Sequence, residues 1–142
     1  MKQRSASSIR CGLLCLFIGC ANASLAETST WSQVADEIAA HIDRAETLYQ
    51  QGKQTEAGQA VTQAYFGVFE DRKMEAAMRI ELGAKHTYEV EQQFGALRKA
   101  IRRQGDEQMV QELAQGIRES VARDAKVLDQ AKIPMQVFET KP

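Results

Sequence analysis

The chain has 142 residues, with 18 Lys and Arg against 19 Asp and Glu, 44% hydrophobic residues and 2 prolines. That is room for one domain, and the near balance of charge argues against the basic surface on which nucleic-acid binding depends. Aromatic residues make up 6% and there are 9 glycines, so architectures built from strands and frequent turns fit poorly and helices are expected.

Residues Met1 to Ala26 divide into a basic stretch with Lys2, Arg4 and Arg10, an apolar run from Cys11 to Gly19, and a small-residue end. This is the layout of a secretory signal peptide, and the apolar run is shorter than the roughly 20 residues that span a bilayer. Export to the periplasm is expected, with cleavage after Ala23 or Ala26, or lipid anchoring at Cys20. All three cysteines (Cys11, Cys15 and Cys20) fall in this segment, so a chain cut after Ala26 has no disulfide, thiolate nucleophile or Cys-ligated metal. Losing three of the 18 basic residues leaves 15 against 19 acidic ones, formally −4, which suits a cation better than an anion.

From Ser29 to Gln51, apolar residues recur at spacings of three and four: Trp31, Val34, Ile38, Ile42, Ala45, Leu48 and Tyr49. They share one helix face, with Ser29 or Thr30 as cap and Gly52 as stop. A second helix is expected from Thr55 to Glu70 or Asp71, a third from Lys73 to Arg103, and a fourth from Asp106 to Lys132. Gly105 and Asp106 supply the last stop and cap. The apolar stripe of the third helix changes face, from Met74, Ala77, Met78 and Leu82 to Val90, Phe94, Leu97 and Ile101. Either it bends near Gly83 or its halves meet different neighbours. Short connections between long helices favour antiparallel neighbours, so the expected fold is all-α, an antiparallel up-down four-helix bundle over residues 27–133. The apolar tail over residues 134–142 folds back over it or docks on a partner.

The stretch Ala64-Tyr-Phe-Gly-Val-Phe-Glu-Asp-Arg-Lys-Met-Glu-Ala-Ala77, followed by Tyr88-Glu-Val-Glu-Gln-Gln-Phe-Gly-Ala-Leu-Arg98, resembles the extracytoplasmic N-terminal domain of bacterial high-affinity (Ftr-type) iron permeases. The resemblance runs from Ala64 to Ile101. Lys73 stands where that family usually has Gly, and no transmembrane helices follow. The resemblance therefore implies a free-standing periplasmic accessory protein of iron uptake, working beside a separate iron permease in the inner membrane.

Glu70 at the end of the second helix and Glu75 at the start of the third can meet across a short turn, with Asp71 as a third donor. Hard cations such as iron favour carboxylate oxygen, and facing carboxylates are how bundles hold it. Equally, Glu75 can serve a helix N-terminus and Glu70 can pair with Arg72 or Lys73. His86 and Glu89 stand at i,i+3 on one face, and counting 100° per residue places Glu75, Arg79, Leu82, His86, Glu89 and Gln93 on one stripe. Glu75 and His86 are separated by about 16 Å along a helix, too far for one ion. His41 reads as a histidine flanking the first stripe, Met74, Met78 and Met109 as core filler, and Tyr65, Phe66 and Phe69 as a packed helix end with the Tyr65 hydroxyl free to meet a carboxylate. The basic run Arg98, Lys99, Arg102 and Arg103 reads as a solvated face near a helix C-terminus.

No nucleophile setting, phosphate loop or haem-attachment motif is present, so the expectation is a binding protein, not an enzyme. Iron is bound or delivered through Glu70, Glu75 and Asp71, with His86 and Glu89 as further metal ligands. The alternatives are a metal-free helical adaptor docking on a permease and a helical-bundle redox protein.

Overall fold

The first helix, α1 (Trp31–Gln50), begins at Thr30, whose hydroxyl accepts from the Gln33 N–H while the Gln33 side chain accepts from the Thr30 N–H. This reciprocal pair satisfies two donors that a helix start leaves open. The computed structural model describes residues 30–138 of the chain, so the expected signal peptide and Cys20 lie outside the described residues. Among those residues the protein is all-helical, with no strand, and no helix is long and apolar enough to cross a membrane.

After α1 come α2 (Gln54–Thr62), a π-helix (Gln63–Glu70), α3 (Met74–Glu81), α4 (Ala84–Arg102), α5 (Glu107–Gln130) and a short 3₁₀ turn (Met135–Phe138). The third expected helix is therefore two helices. Gly83 separates them at φ 91°, ψ 155°, a backbone conformation open to glycine and costly for other residues. Its carbonyl accepts the Thr87 hydroxyl at 3.1 Å, which starts α4 afresh on a new axis. The switch of apolar face seen in the sequence is this break. At the next turn the left-handed residue is Gln104, φ 53°, while the Gly105 carbonyl accepts the Tyr49 hydroxyl. Asp106 caps α5 as expected, accepting from the Gln108 N–H at 2.7 Å.

The core draws on every α-helix and the π-helix: Trp31, Ile38 and Ile42 from α1, Val61 from α2, Phe69 from the π-helix, Met74 and Met78 from α3, Leu97 and Ile101 from α4, Ile117 and Leu128 from α5. Burying one such side chain contributes about 1.5–3 kcal/mol, so these stripes hold the fold without a crosslink. Met74 and Met78 are core filler, whereas Met109 is exposed.

Polar contacts fix the relative directions of the helices. Asp129 near the end of α5 meets the start of α1, Arg118 meets Asp43 and Glu46 at 2.9 Å each, and Tyr49 meets Gly105. Hence α1 and α5 run antiparallel. Likewise His86 bonds Asp124 and Gln93 bonds Ser120, so α4 and α5 run antiparallel as well. The segment after α5 turns back as far as Met135: the Trp31 indole N–H donates to the Ile133 carbonyl at 2.7 Å, and Ile133 and Met135 pack on the core.

Candidate functional site

The stretch that carries the resemblance forms the π-helix. Such helices bond i to i+5, are rare, and concentrate at functional sites. Gly67 has a local part in this one, because a Cβ there would fall 1.8 Å from the Gln63 amide nitrogen. The missing side chain leaves room for the Gln63 amide to lie over the helix. On an α-helix, residues five apart are turned by about 140°, which would carry Tyr65 and Glu70 to different faces. The i to i+5 pattern instead stacks them on one face.

Tyr65 is where the site's charges converge. Its hydroxyl pKa is raised, first by burial, then by a side-chain hydrogen bond with Glu70, and further by the charges of Glu91, Glu70 and Glu75. The ring is seated among aromatics: 4.8 Å from Phe66, edge-on, 5.8 Å from Phe69 and 5.4 Å from Phe94 of α4. Phe69 is fully buried, but Phe66 is 48% exposed and so is not part of a packed helix end.

Glu70 thus bonds the Tyr65 hydroxyl, and Glu75, from the far side of the turn, acts on it through its charge. The turn is closed by Lys73, whose N–H donates to the Glu70 carbonyl at 2.9 Å and whose φ is 63°. Lysine there adopts a conformation that glycine would take at lower cost. Asp71 points outward and is exposed.

The third carboxylate of the cluster, Glu91 on α4, is one that sequence reasoning missed. Its pKa is raised by burial first and then by the charge of Glu75, against the lowering effect of Arg79. Arg79 donates to both Glu75 and Glu91, the latter at 3.2 Å. Three carboxylates, one phenol and one guanidinium therefore meet where the π-helix, α3 and α4 converge. The donor set is all oxygen, the chemistry of a hard cation. Among the described residues no three His, Cys, Asp or Glu side chains already close on a single ion, and Arg79 supplies the positive charge between Glu75 and Glu91.

His86 and Glu89 stand apart from this cluster. His86 Nε2 lies 2.8 Å from Asp124 Oδ2 on α5, and Asp124 is 2% exposed. Burying a carboxylate is costly unless it is paired, and His86, with Arg123 at 3.4 Å, gives Asp124 its partners. Glu89 is exposed. The stripe counted from Glu75 to Gln93 is cut at Gly83: Glu75 and Arg79 face Glu91, whereas His86 and Gln93 face α5. His41 lies in a separate hollow beside Arg44 and Glu56.

Comparisons with protein-family models, with curated proteins and with solved structures give no match.

Proposed function

We propose that the protein binds a hard metal cation, iron foremost, through the carboxylates gathered around Tyr65, and serves as a periplasmic accessory of iron uptake that passes the ion to a separate iron permease. It acts as a carrier and not as a catalyst. The observation that carries this reading is the coincidence of the rare helix geometry with the iron-permease-like segment: residues 63–70 are π-helical, and that geometry turns Glu70 toward Tyr65, beside Glu75 and Glu91. The left-handed Lys73, standing where the resembling family usually has Gly, supports a shared turn. Glu91 is pushed up by burial first and then by the charge of Glu75, and a divalent or trivalent ion beside it would favour its charged form.

The same reading takes the fold as an up-down four-helix bundle formed by α1, α2 with its π-helical extension, α4 and α5, with α3 as a short insertion that delivers Glu75. It is supported by the antiparallel contacts of α5 with α1 and α4, and by Tyr65 meeting Phe94.

Anaerobic calorimetric titration with Fe²⁺ and Mn²⁺ tests this. Saturable binding that is lost in the Glu70→Gln/Glu75→Gln variant is expected. A second reading, a metal-free adaptor docking on a permease, is favoured by one observation: Arg79 already bridges Glu75 and Glu91, beside an exposed Phe66. On that reading neither protein binds metal, and loss of Phe66 rather than of the carboxylates impairs uptake.

A further inference from the structure

A cavity of about 330 Å³ opens beside the acidic cluster, between the π-helix and α4. Tyr65, Phe66 and Phe94 form its aromatic wall, Glu70 and Glu91 supply negative charge, and Arg98 supplies positive charge. Its size falls in the range of small-molecule sites, which begins at about 300 Å³. A bare ion would use only part of this lining, for two reasons. Among the described residues no three acidic or histidine side chains close on one point, so the remaining ligands of an ion would arrive with it. Arg98 lines the same space, is exposed and makes no ion pair among the described residues, and a guanidinium would repel a cation held alone.

A guanidinium and two carboxylates lining one cavity suit a ligand that carries both signs of charge. A metal bound to a carboxylate chelator is such a ligand: the ion completes its shell with the carboxylates of Glu70 and Glu91, and a carboxylate of the chelator takes the fork of Arg98, the geometry in which Arg binds carboxylate best. The chemistry of ferric iron points the same way, since the free ion hydrolyses at neutral pH and persists in solution only when it is chelated by oxygen ligands.

We propose that the cavity receives iron already complexed by a small di- or tricarboxylate, with the metal on the Glu70 and Glu91 side and the chelator's free carboxylate on Arg98. This rests on the metal-binding reading above and adds the form in which the metal arrives.

The test is titration of the purified protein with ferric citrate, with citrate alone and with Mn²⁺ alone, on wild type, Arg98→Gln and Glu70→Gln/Glu91→Gln, each variant first checked for an unchanged helical spectrum. Arg98 is exposed, so its replacement leaves the core intact. The expected result is that ferric citrate binds wild type at least tenfold more tightly than Arg98→Gln, that Mn²⁺ does not bind more weakly to Arg98→Gln than to wild type, and that the double carboxylate variant loses both. If Mn²⁺ binds but ferric citrate binds wild type and Arg98→Gln alike, the chelate proposal is overturned and the metal reading stands. If citrate alone binds as tightly as its iron complex, the cavity is an anion site and the proposal is likewise overturned. If neither Mn²⁺ nor ferric citrate binds wild type, both readings fall.

Discussion

Glu75 and Glu91, on different helices, share the guanidinium of Arg79. That single cation is what allows two carboxylates to sit side by side beneath Tyr65, and it also competes with any metal for the same oxygens. Replacing Arg79 by Gln is expected to have two opposed effects. Stability falls by no more than about 1 kcal/mol, since ion pairs of an exposed arginine contribute little, while Mn²⁺ affinity rises several-fold because its competitor is gone. Thermal melts and titration of the same preparation read both. An unchanged affinity would mean that metal does not use Glu75 and Glu91.

Glu91 makes stability depend on pH in a defined direction. Its folded pKa is raised, so between the ordinary carboxylate value and the raised one the folded state holds more protons than the unfolded state, and stability falls as pH rises through that window. Above the window the charged carboxylate is a standing penalty. Glu91→Gln is therefore expected to be more stable than wild type at about pH 7, with the difference shrinking toward about pH 3, below the ordinary glutamate value, where the carboxyl is protonated in both states. Melting curves at the two pH values check it. A variant less stable at neutral pH would show that the Arg79 contact outweighs burial.

Lys73 closes the turn into α3 at φ 63°, ψ 19°. A left-handed conformation costs a non-glycine residue about 1–2 kcal/mol, part of which glycine gives back through the greater freedom of its unfolded chain. Lys73→Gly is expected to stabilise the protein by about 0.5–1 kcal/mol. Chemical denaturation measures it, and a loss of stability would mean that the lysine side chain holds the turn.

The start of α1 and the end of α5 are joined through Asp129. Its carboxylate accepts the Trp31 N–H at 2.8 Å and the Ser32 N–H at 3.0 Å, together with the Ser32 hydroxyl, so the last helix caps the first. Asp129→Ala removes all three and leaves the N-terminus of α1 without its negative charge. A cost of about 2 kcal/mol is expected, with the loss of protection concentrated in the first turn of α1 when read by amide hydrogen exchange. Uniform loss across α1 and α5 would instead mean that the cap and the helix pair unfold as one unit.

Much of the helical framework was legible in the sequence because it rests on local signals. Apolar spacing and caps placed α1 and α5 to within about two residues, and Thr30 and Asp106 cap as their chemistry predicts. Glu70 and Glu75 could be placed near one another because only a short turn separates them, but the turn does not give their contacts, Glu70 with Tyr65 and Glu75 with Arg79 and Glu91. What stayed hidden depends on departures from the α-helical count of 100° per residue. The i to i+5 bonding of residues 63–70 has no periodic signature in eight residues, so the approach of Tyr65 to Glu70 could be seen only as an available hydroxyl. Gly83 breaks the helix between α3 and α4, so the angular count carried across it placed Glu75 on one stripe with His86 and Glu89, whereas Glu75 and Arg79 face Glu91. The pairing of half-buried His86 with buried Asp124 joins two helices through tertiary packing, which spacing within either helix does not encode.

The most direct test of the central claim is anomalous diffraction from crystals of the protein grown with Mn²⁺. A single strong peak is expected within coordination distance of the Glu70 carboxylate and of Glu75 or Glu91, with Arg79 displaced from at least one of them. A peak only at His86 and Glu89, or no peak while Arg79 still bridges Glu75 and Glu91, would contradict it.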